Sequence, residues 1–397
     1  MRNKYLSSGA GYASAFLLFT ACATPPAALH RDLITLDSHL DTPAWLGVSG
    51  WHIEERHKFS DDGSQVDVPR MLEGGLDGGF WATYIPQGPL TVEGRAAALQ
   101  AALVRIGEIH AMIEAHPDRF TLALEAKDAA RIAASGRHFV YLSMENGYPL
   151  GLDPRQLAHF HSLGLRMASP VHFLNNDLGT SSTDTNAGLP GLSALGEQWV
   201  AEANRLGILI DASHASDAAL DRMLELSRAP VILSHSGARA VFNHPRNVDD
   251  ARLRRIARQG GVIQVPAFND YLIANPANPA RQAAIGNARS TAPRTLEGQR
   301  ALQARLREID AQYPARRATL DDFMAHLLHV IRVAGVDHAG IGVDFDGGGG
   351  VTGLNEASDY PMITQRLLEA GYSRADLQKI WSGNALRVLE QAQQRRK

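Results

Sequence analysis

The chain has 397 residues, 45% hydrophobic and 20% charged, with a formal net charge of -3. Such a composition suits a globular protein with a large core, and without a basic excess no nucleic-acid partner is expected. The single cysteine, Cys22, excludes an intrachain disulfide.

The first segment is not part of the core. Arg2 and Lys4 precede an uncharged stretch with Phe16, Leu17 and Leu18, followed by Thr20, Ala21 and Cys22. A basic start, a short apolar run and small residues read as a secretory signal. The run is too rich in Ser, Gly and Ala for a spanning helix, which needs roughly 20 apolar residues. Cys22 resembles the lipidated cysteine of a bacterial lipobox, although Phe19 stands where an aliphatic residue is usual. The expected division is a signal peptide over 1–21, a tether over 22–30 and a single domain over 31–397. The protein is then an exported, periplasmic or cell-envelope lipoprotein that touches membrane only through its anchor.

Eight short apolar runs follow: Leu33–Leu36, Gly79–Ile85, Phe139–Met144, Met167–Val171, Ile208–Ile210, Pro230–Leu233, Gly261–Val265 and Ala339–Val343. Several are rich in Val and Ile without polar alternation, as in strands covered on both faces. Helical patterns separate most of them: 93–114, Asp153–Leu163, Ser193–Leu206, Ser216–Leu226, Asp249–Arg258 and Thr319–Ala334. Ser216 and Asp249 suit N-caps. Two more helices, near 359–370 and 374–391, close the chain. Strand–helix alternation means a parallel sheet, and eight units predict an α/β protein with a (β/α)8 barrel. One long insertion, Asp270–Arg317, follows the seventh strand, with Arg300–Ile309 helical. It is expected to wall the substrate site or to pack against the second subunit of a homodimer.

Polar, metal-competent residues sit where the apolar runs end. The first run leads into Asp37, His39 and Asp41, the third into Glu145, and the fourth into His172. The fifth leads into Asp211 and His214, the sixth into His235, and the eighth into Asp344 and Asp346. In a barrel these ends converge on one face. Burying so many ionisable groups is costly unless a divalent metal compensates. His39 and Asp41 alternate along a strand, so both point to one side and can share an ion. His214 and His235, after adjacent strands, could hold a second, with Glu145 as the bridge between the two. Taken singly, His214 or His235 would read as a satisfied core histidine, and Asp37 or Asp211 as a group that orients its neighbours. Ser213 and Ser234 stand beside histidines, but strand neighbours point to opposite faces, which argues against a serine nucleophile. HExxH and GxxxxGK[ST] motifs are absent from the sequence.

These strings resemble the renal (membrane) dipeptidase family of zinc-dependent barrel hydrolases. The matching pieces are DSHLDTP at 37–43, QVDVPRMLEGG at 65–75, MENG at 144–147 and GLRMASPVHFLNND at 164–177. They continue with GLSALGEQWVAEANRLGILIDASHAS at 191–216, ILSHSGAR at 232–239, RNVDD at 246–250, GIGVDFDG at 340–347 and SGNALRVL at 382–389. The resemblance implies two Zn2+ per chain, with His39 and Asp41 on one, His214 and His235 on the other, and Glu145 bridging. It implies that His172 lines the substrate site and stabilises the tetrahedral oxygen, that Arg246 binds the substrate carboxylate, and that Asp344 binds substrate and moves protons. The expected activity is hydrolysis of dipeptides, L-L and also L-D, by a zinc-activated hydroxide. The alternatives are another amide hydrolase on the same barrel, such as an N-acyl amino acid deacylase, and a non-catalytic metal-binding lipoprotein. The sequence departs from the family at Asn146, where Gly is usual, and in the Ser-Pro-Val before His172.

Overall fold

A computed structural model describes residues 25–184 and 190–396. The segment 1–21, read as a signal peptide, and Cys22 lie outside the described residues. Of the stretch 22–30 expected as a tether, the described part is helical from Pro26, in the helix Pro26–Arg31, and His30 is fully buried. The His30 imidazole bonds to Thr364 Oγ1 at 2.6 Å and to the Gly74 carbonyl at 2.9 Å, which fixes this end to the body.

Among the described residues nine parallel strands carry the fold: β1 Leu36–Leu40, β2 Gly78–Tyr84, β3 Phe120–Leu122, β4 His138–Glu145, β5 Leu165–Ala168, β6 Leu209–Ile210, β7 Ile232–Leu233, β8 Val262–Val265 and β9 Ala339–Ile341. One curled sheet runs β1-β2-β4-β5-β6, with β3 added beside β4, and a second runs β7-β8-β9. Isolated parallel bridges join Asp211 to Ile232 and Leu40 to Phe345, linking the edges of the two sheets. One buried apolar cluster takes Leu36, Phe80, Tyr141, Met167, Leu209, Ile232 and Val262, each from a different strand, together with Val388 and Leu389 of the last helix. The larger cluster lies mainly where helices cover the strands, as with Trp199, Leu220 and Phe323.

Local chemistry accounts for the helices between the strands. Ser193, Ser216 and Asp249 each accept a hydrogen bond from the backbone N–H three residues on, satisfying a donor that the helix cannot. Thr319 and Asp322 form a reciprocal capping box.

Several boundaries differ from the apolar pattern. β1 begins at Leu36 and continues through Asp37, Ser38 and His39, the first two of which find buried hydrogen-bond partners. β3 and the helix Asp128–Ala133 are too short for the periodicity to register. The last helical stretch divides into Arg374–Gln378, a π-helical turn Lys379–Gly383, and Asn384–Gln394. Within 270–317 a longer helix, Leu296–Gln312, replaces the expected 300–309, and Pro279–Thr291 is helical as well. These two helices reach back to the segment after β1: the Ser49 N–H donates to Arg294 O at 3.0 Å, and the Leu296 N–H to Ser49 O at 2.8 Å.

Candidate metal centre

Every sequence-selected metal ligand lies at or just beyond the C-terminal end of a strand, and all converge on one buried cluster. His39 Nε2 is 3.6 Å from Asp41 Oδ2, 3.6 Å from Glu145 Oε2 and 4.0 Å from Asp344 Oδ1. The other oxygen of Glu145 faces the remaining histidines, at 3.1 Å from His214 Nε2, 3.4 Å from His235 Nε2 and 3.7 Å from His172 Nε2. Glu145 therefore divides its two oxygens between two groups of candidate ligands. Ligand atoms of His39, Asp41 and Asp344 fall within 4.8 Å of one another, as do those of Glu145, His172 and His214. His172 is thus close enough to be a ligand itself, besides lining the cavity.

Cations fit these groups. His39 Nε2 is buried among three carboxylates without a hydrogen bond. His214 Nε2 and His235 Nε2 lie 2.8 Å apart, where at most one proton can sit. Burial, which favours neutral imidazole, takes His214 and His235 well below the ordinary histidine range, so their lone pairs are free for a metal. For Glu145, burial alone would favour the acid. His172, His39 and hydrogen bonds from His214 and His235 outweigh it and hold the carboxylate ionised. Asp344 is pushed well above the carboxylate range, first by burial and then by Asp41 and Glu145, against the pull of His39 and Arg246.

A second layer fixes these ligands. The Asp37 carboxylate accepts from the His39 N–H at 2.9 Å, the Val343 N–H at 3.0 Å and the Tyr360 hydroxyl at 2.6 Å. Asp211 accepts from the Ser213 and Ser234 N–H groups, both at 2.9 Å, and from Ser234 Oγ at 2.6 Å. Both aspartates orient their neighbours. Ser234 Oγ also lies 2.8 Å from His235 Nδ1, so strand alternation does not keep this serine and histidine apart. The chain leaves β7 at Leu233, and the alternation rule no longer applies. Ser234 has one proton, held by Asp211, and so accepts from His235 Nδ1–H, which leaves His235 Nε2 as the free ligand atom. A fully buried hydroxyl in this relay is a positioning group.

Among described residues, the non-glycine residues with positive φ are Asn146, His214, Asp344 and Asp346. All four stand at this site, where local strain aims side chains that a relaxed strand end would not. Asn146 has φ 74° directly after Glu145, a conformation that Asn tolerates best after glycine. Close packing also matters at Gly347, where a Cβ would lie 2.1 Å from Asp41 Oδ2 and 2.3 Å from Asp344 Oδ1.

The cluster opens into a cavity of about 250 Å³ lined by Asp41, Glu145, His172, His214, His235 and Asp344. Tyr84, Arg105, Phe173, Phe268, Tyr271 and Asp346 complete much of its wall. Of these, Asp346 is visible as a polar residue after the eighth run. Tyr84 lies in the second run, and a search of strand ends for aromatic as well as metal-competent residues would have found it. Arg246 sits behind the wall, 3% exposed, with Nη2 donating to His235 O at 3.0 Å and Nη1 to Ser236 Oγ at 3.3 Å. Its guanidinium carbon is 5.1 Å from the centre of the Tyr271 ring, and its Nε is buried without a partner.

A sequence model of the membrane dipeptidase family, peptidase family M19, matches residues 26–397. The chain is 30% identical to dipeptidase tcpJ of Claviceps purpurea over 349 residues, covering 86% of this chain and 73% of the relative. Among solved structures it resembles the probable dipeptidase PvdM of Pseudomonas aeruginosa, with TM-score 0.79 and 30% identity over 93% of this chain and 98% of the other. It also resembles a metallopeptidase of Rhodobacter sphaeroides liganded with a phosphinate mimic of the dipeptide L-Ala-D-Ala, with TM-score 0.69 and 25% identity over 90% and 99%.

Proposed function

The chain belongs to the membrane dipeptidase family and is a metallodipeptidase, and from this we propose that it cuts L-L and L-D dipeptides at a site for two zinc ions. The observation that carries the reading is Glu145, whose Oε2 faces His39 and whose Oε1 faces His214 and His235. We assign His39 and Asp41 to one ion, His214 and His235 to the other, and Glu145 to both. Two zinc ions would supply a water activated at neutral pH and a Lewis acid for the scissile carbonyl. His172, whose ring centre is 4.6 Å from that of Tyr84 and 3.8 Å from that of Phe173, is held where it can donate to the developing oxyanion. Burial favours the protonated form of Asp344, which suits it to deliver a proton to the leaving amine. Arg246 would grip the C-terminal carboxylate, and its unpartnered Nε and its Tyr271 contact support that role.

We also propose that the two sheets close into a (β/α)8 barrel. The two edge bridges and the apolar cluster drawn from seven strands support closure. Export and anchoring through a lipidated Cys22 remain a proposal carried by the sequence alone. Metal analysis and a substrate panel test the catalytic reading together. About two equivalents of zinc are expected, with hydrolysis of L-Ala-L-Ala and L-Ala-D-Ala and little action on N-acetyl-alanine. An active protein that binds no metal, or one that prefers the N-acyl substrate, would overturn it.

A further inference from the structure

The cavity wall includes an arginine, Arg105, whereas Arg246 sits behind the wall. Arg105 is on the helix Val92–Ala115, and its side chain is 15% exposed where it lines the cavity. Its Nη1 donates to the Pro43 carbonyl and lies 2.9 Å from the Glu108 carboxylate one turn further on. Among the described residues its Nε and Nη2 make no hydrogen bond, and neither is a sealed, orphaned atom. One arm of the guanidinium thus anchors the side chain while the other donors remain free.

The two arginines occupy different sides of the site. Arg246 is bonded to residues just after β7. Arg105 lies on the helix after β2 and is bonded to the segment just after β1, on the far side of the sheet order. A dipeptide whose C-terminal carboxylate met Arg246 would have room to extend its first residue toward the side of the cavity that Arg105 lines. Charge at this end favours an anion. Arg294, from the segment between the helices Pro279–Thr291 and Leu296–Gln312, donates to the Ala44 carbonyl at 3.1 Å, and Ala44 lines the cavity. Two guanidinium groups therefore flank one carboxylate, Glu108. Of the other carboxylates that line the cavity, Asp41 and Glu145 are proposed metal ligands and would be neutralised there, Asp344 is the proposed proton donor, and Asp346 already accepts from Thr42 Oγ1 and from the Gln65 N–H, both at 2.7 Å.

We propose that Arg105 selects dipeptides whose first residue carries an acidic side chain, aspartyl and glutamyl dipeptides above their amide isosteres. The inference rests on the dipeptidase reading and adds a substrate class to it. A guanidinium with two free donors matches a carboxylate bidentately, whereas an amide offers only one acceptor and no charge.

The test compares kcat/KM of the zinc-loaded full chain for Glu-Ala against Gln-Ala and for Asp-Ala against Asn-Ala, with Ala-Ala as reference. The wild type should favour each acidic member by about tenfold, the scale of one charge-assisted hydrogen bond. In R105M that ratio should fall to near one, mainly through KM, and R105K should restore part of it. A wild-type ratio near one overturns the proposal, as does a ratio that R105M leaves unchanged. If R105M fails to fold, R105K decides: it keeps the charge but loses the bidentate fork, so an undiminished ratio overturns the proposal. If the wild type does not hydrolyse Ala-Ala or any other dipeptide of the panel, the dipeptidase reading itself fails, and the acidic preference with it.

Discussion

Ser234→Ala separates a positioning serine from a nucleophilic one. In the wild type Ser234 Oγ donates to Asp211 at 2.6 Å and accepts from His235 Nδ1 at 2.8 Å. The substitution removes both bonds. Asp211 Oδ1 keeps the backbone N–H donors of positions 213 and 234, while Oδ2 loses the hydroxyl that donated to it. The His235 Nδ1–H loses its acceptor in a fully buried site, at a cost of about 1–3 kcal/mol. That cost falls on the imidazole orientation a metal needs. Loss of such a support lowers metal affinity by about 10–100-fold, or about 1.4–2.7 kcal/mol, which agrees with the hydrogen-bond figure. Competition against a chelating zinc indicator should show the weaker binding, and added zinc should recover most of kcat. A zinc affinity equal to wild type would refute the relay. Activity abolished at saturating zinc would instead make Ser234 a reacting group.

Three further outcomes follow from the geometry. Arg246→Met should raise KM for dipeptides by the equivalent of roughly 2–4 kcal/mol, and should affect dipeptide amides far less, since they lack the carboxylate; equal loss on both would remove the clamp. Asp344→Asn should lower kcat by roughly 10²–10⁴ with both metals retained, whereas loss of a metal would make Asp344 a ligand beside His39. His326 accepts the Ala238 N–H at 3.0 Å, and burial lowers its pKa to about 4. The unfolded chain takes up this proton first on acidification, so the contribution is complete above about pH 6.5 and is lost as the pH falls toward 4. Denaturant titrations should find the stability of wild type relative to His326→Gln falling by up to about 3 kcal/mol between pH 7 and 4; a constant difference would show that His326 does not titrate as described.

The ligands were legible for a physical reason. A charged group directly after an apolar strand has no cheap explanation other than a site, and strand ends gather at one place whatever the loops do. His39, Asp41, Glu145, His214 and His235 stood out as candidate ligands by position, together with Asp37, His172, Asp211, Asp344 and Asp346, and the structure gathers those five around His39 and Glu145. Eight of the nine strands were legible as well, but not β3 and not the boundaries. Leu36 looks like the end of a run because Asp37 follows, yet Asp37 is buried with three donors and the strand continues.

The substrate wall was not legible, for the complementary reason. Arg105 occupies a helix position where arginine ordinarily faces solvent, and only the packing of that helix over Pro43 turns it into the cavity. Tyr271 opens a stretch whose composition suggests an exposed loop, yet it is buried against Arg246. Even the serine argument failed locally. Alternation holds while the backbone is a strand, but β7 ends at Leu233, and the turn that follows brings Ser234 Oγ onto the ring of its own neighbour. Periodicity carries the scaffold and the ligands attached to it. The loops beyond the strand ends, where φ turns positive at Asn146, His214, Asp344 and Asp346, complete the site, and there the sequence offers residue types without directions.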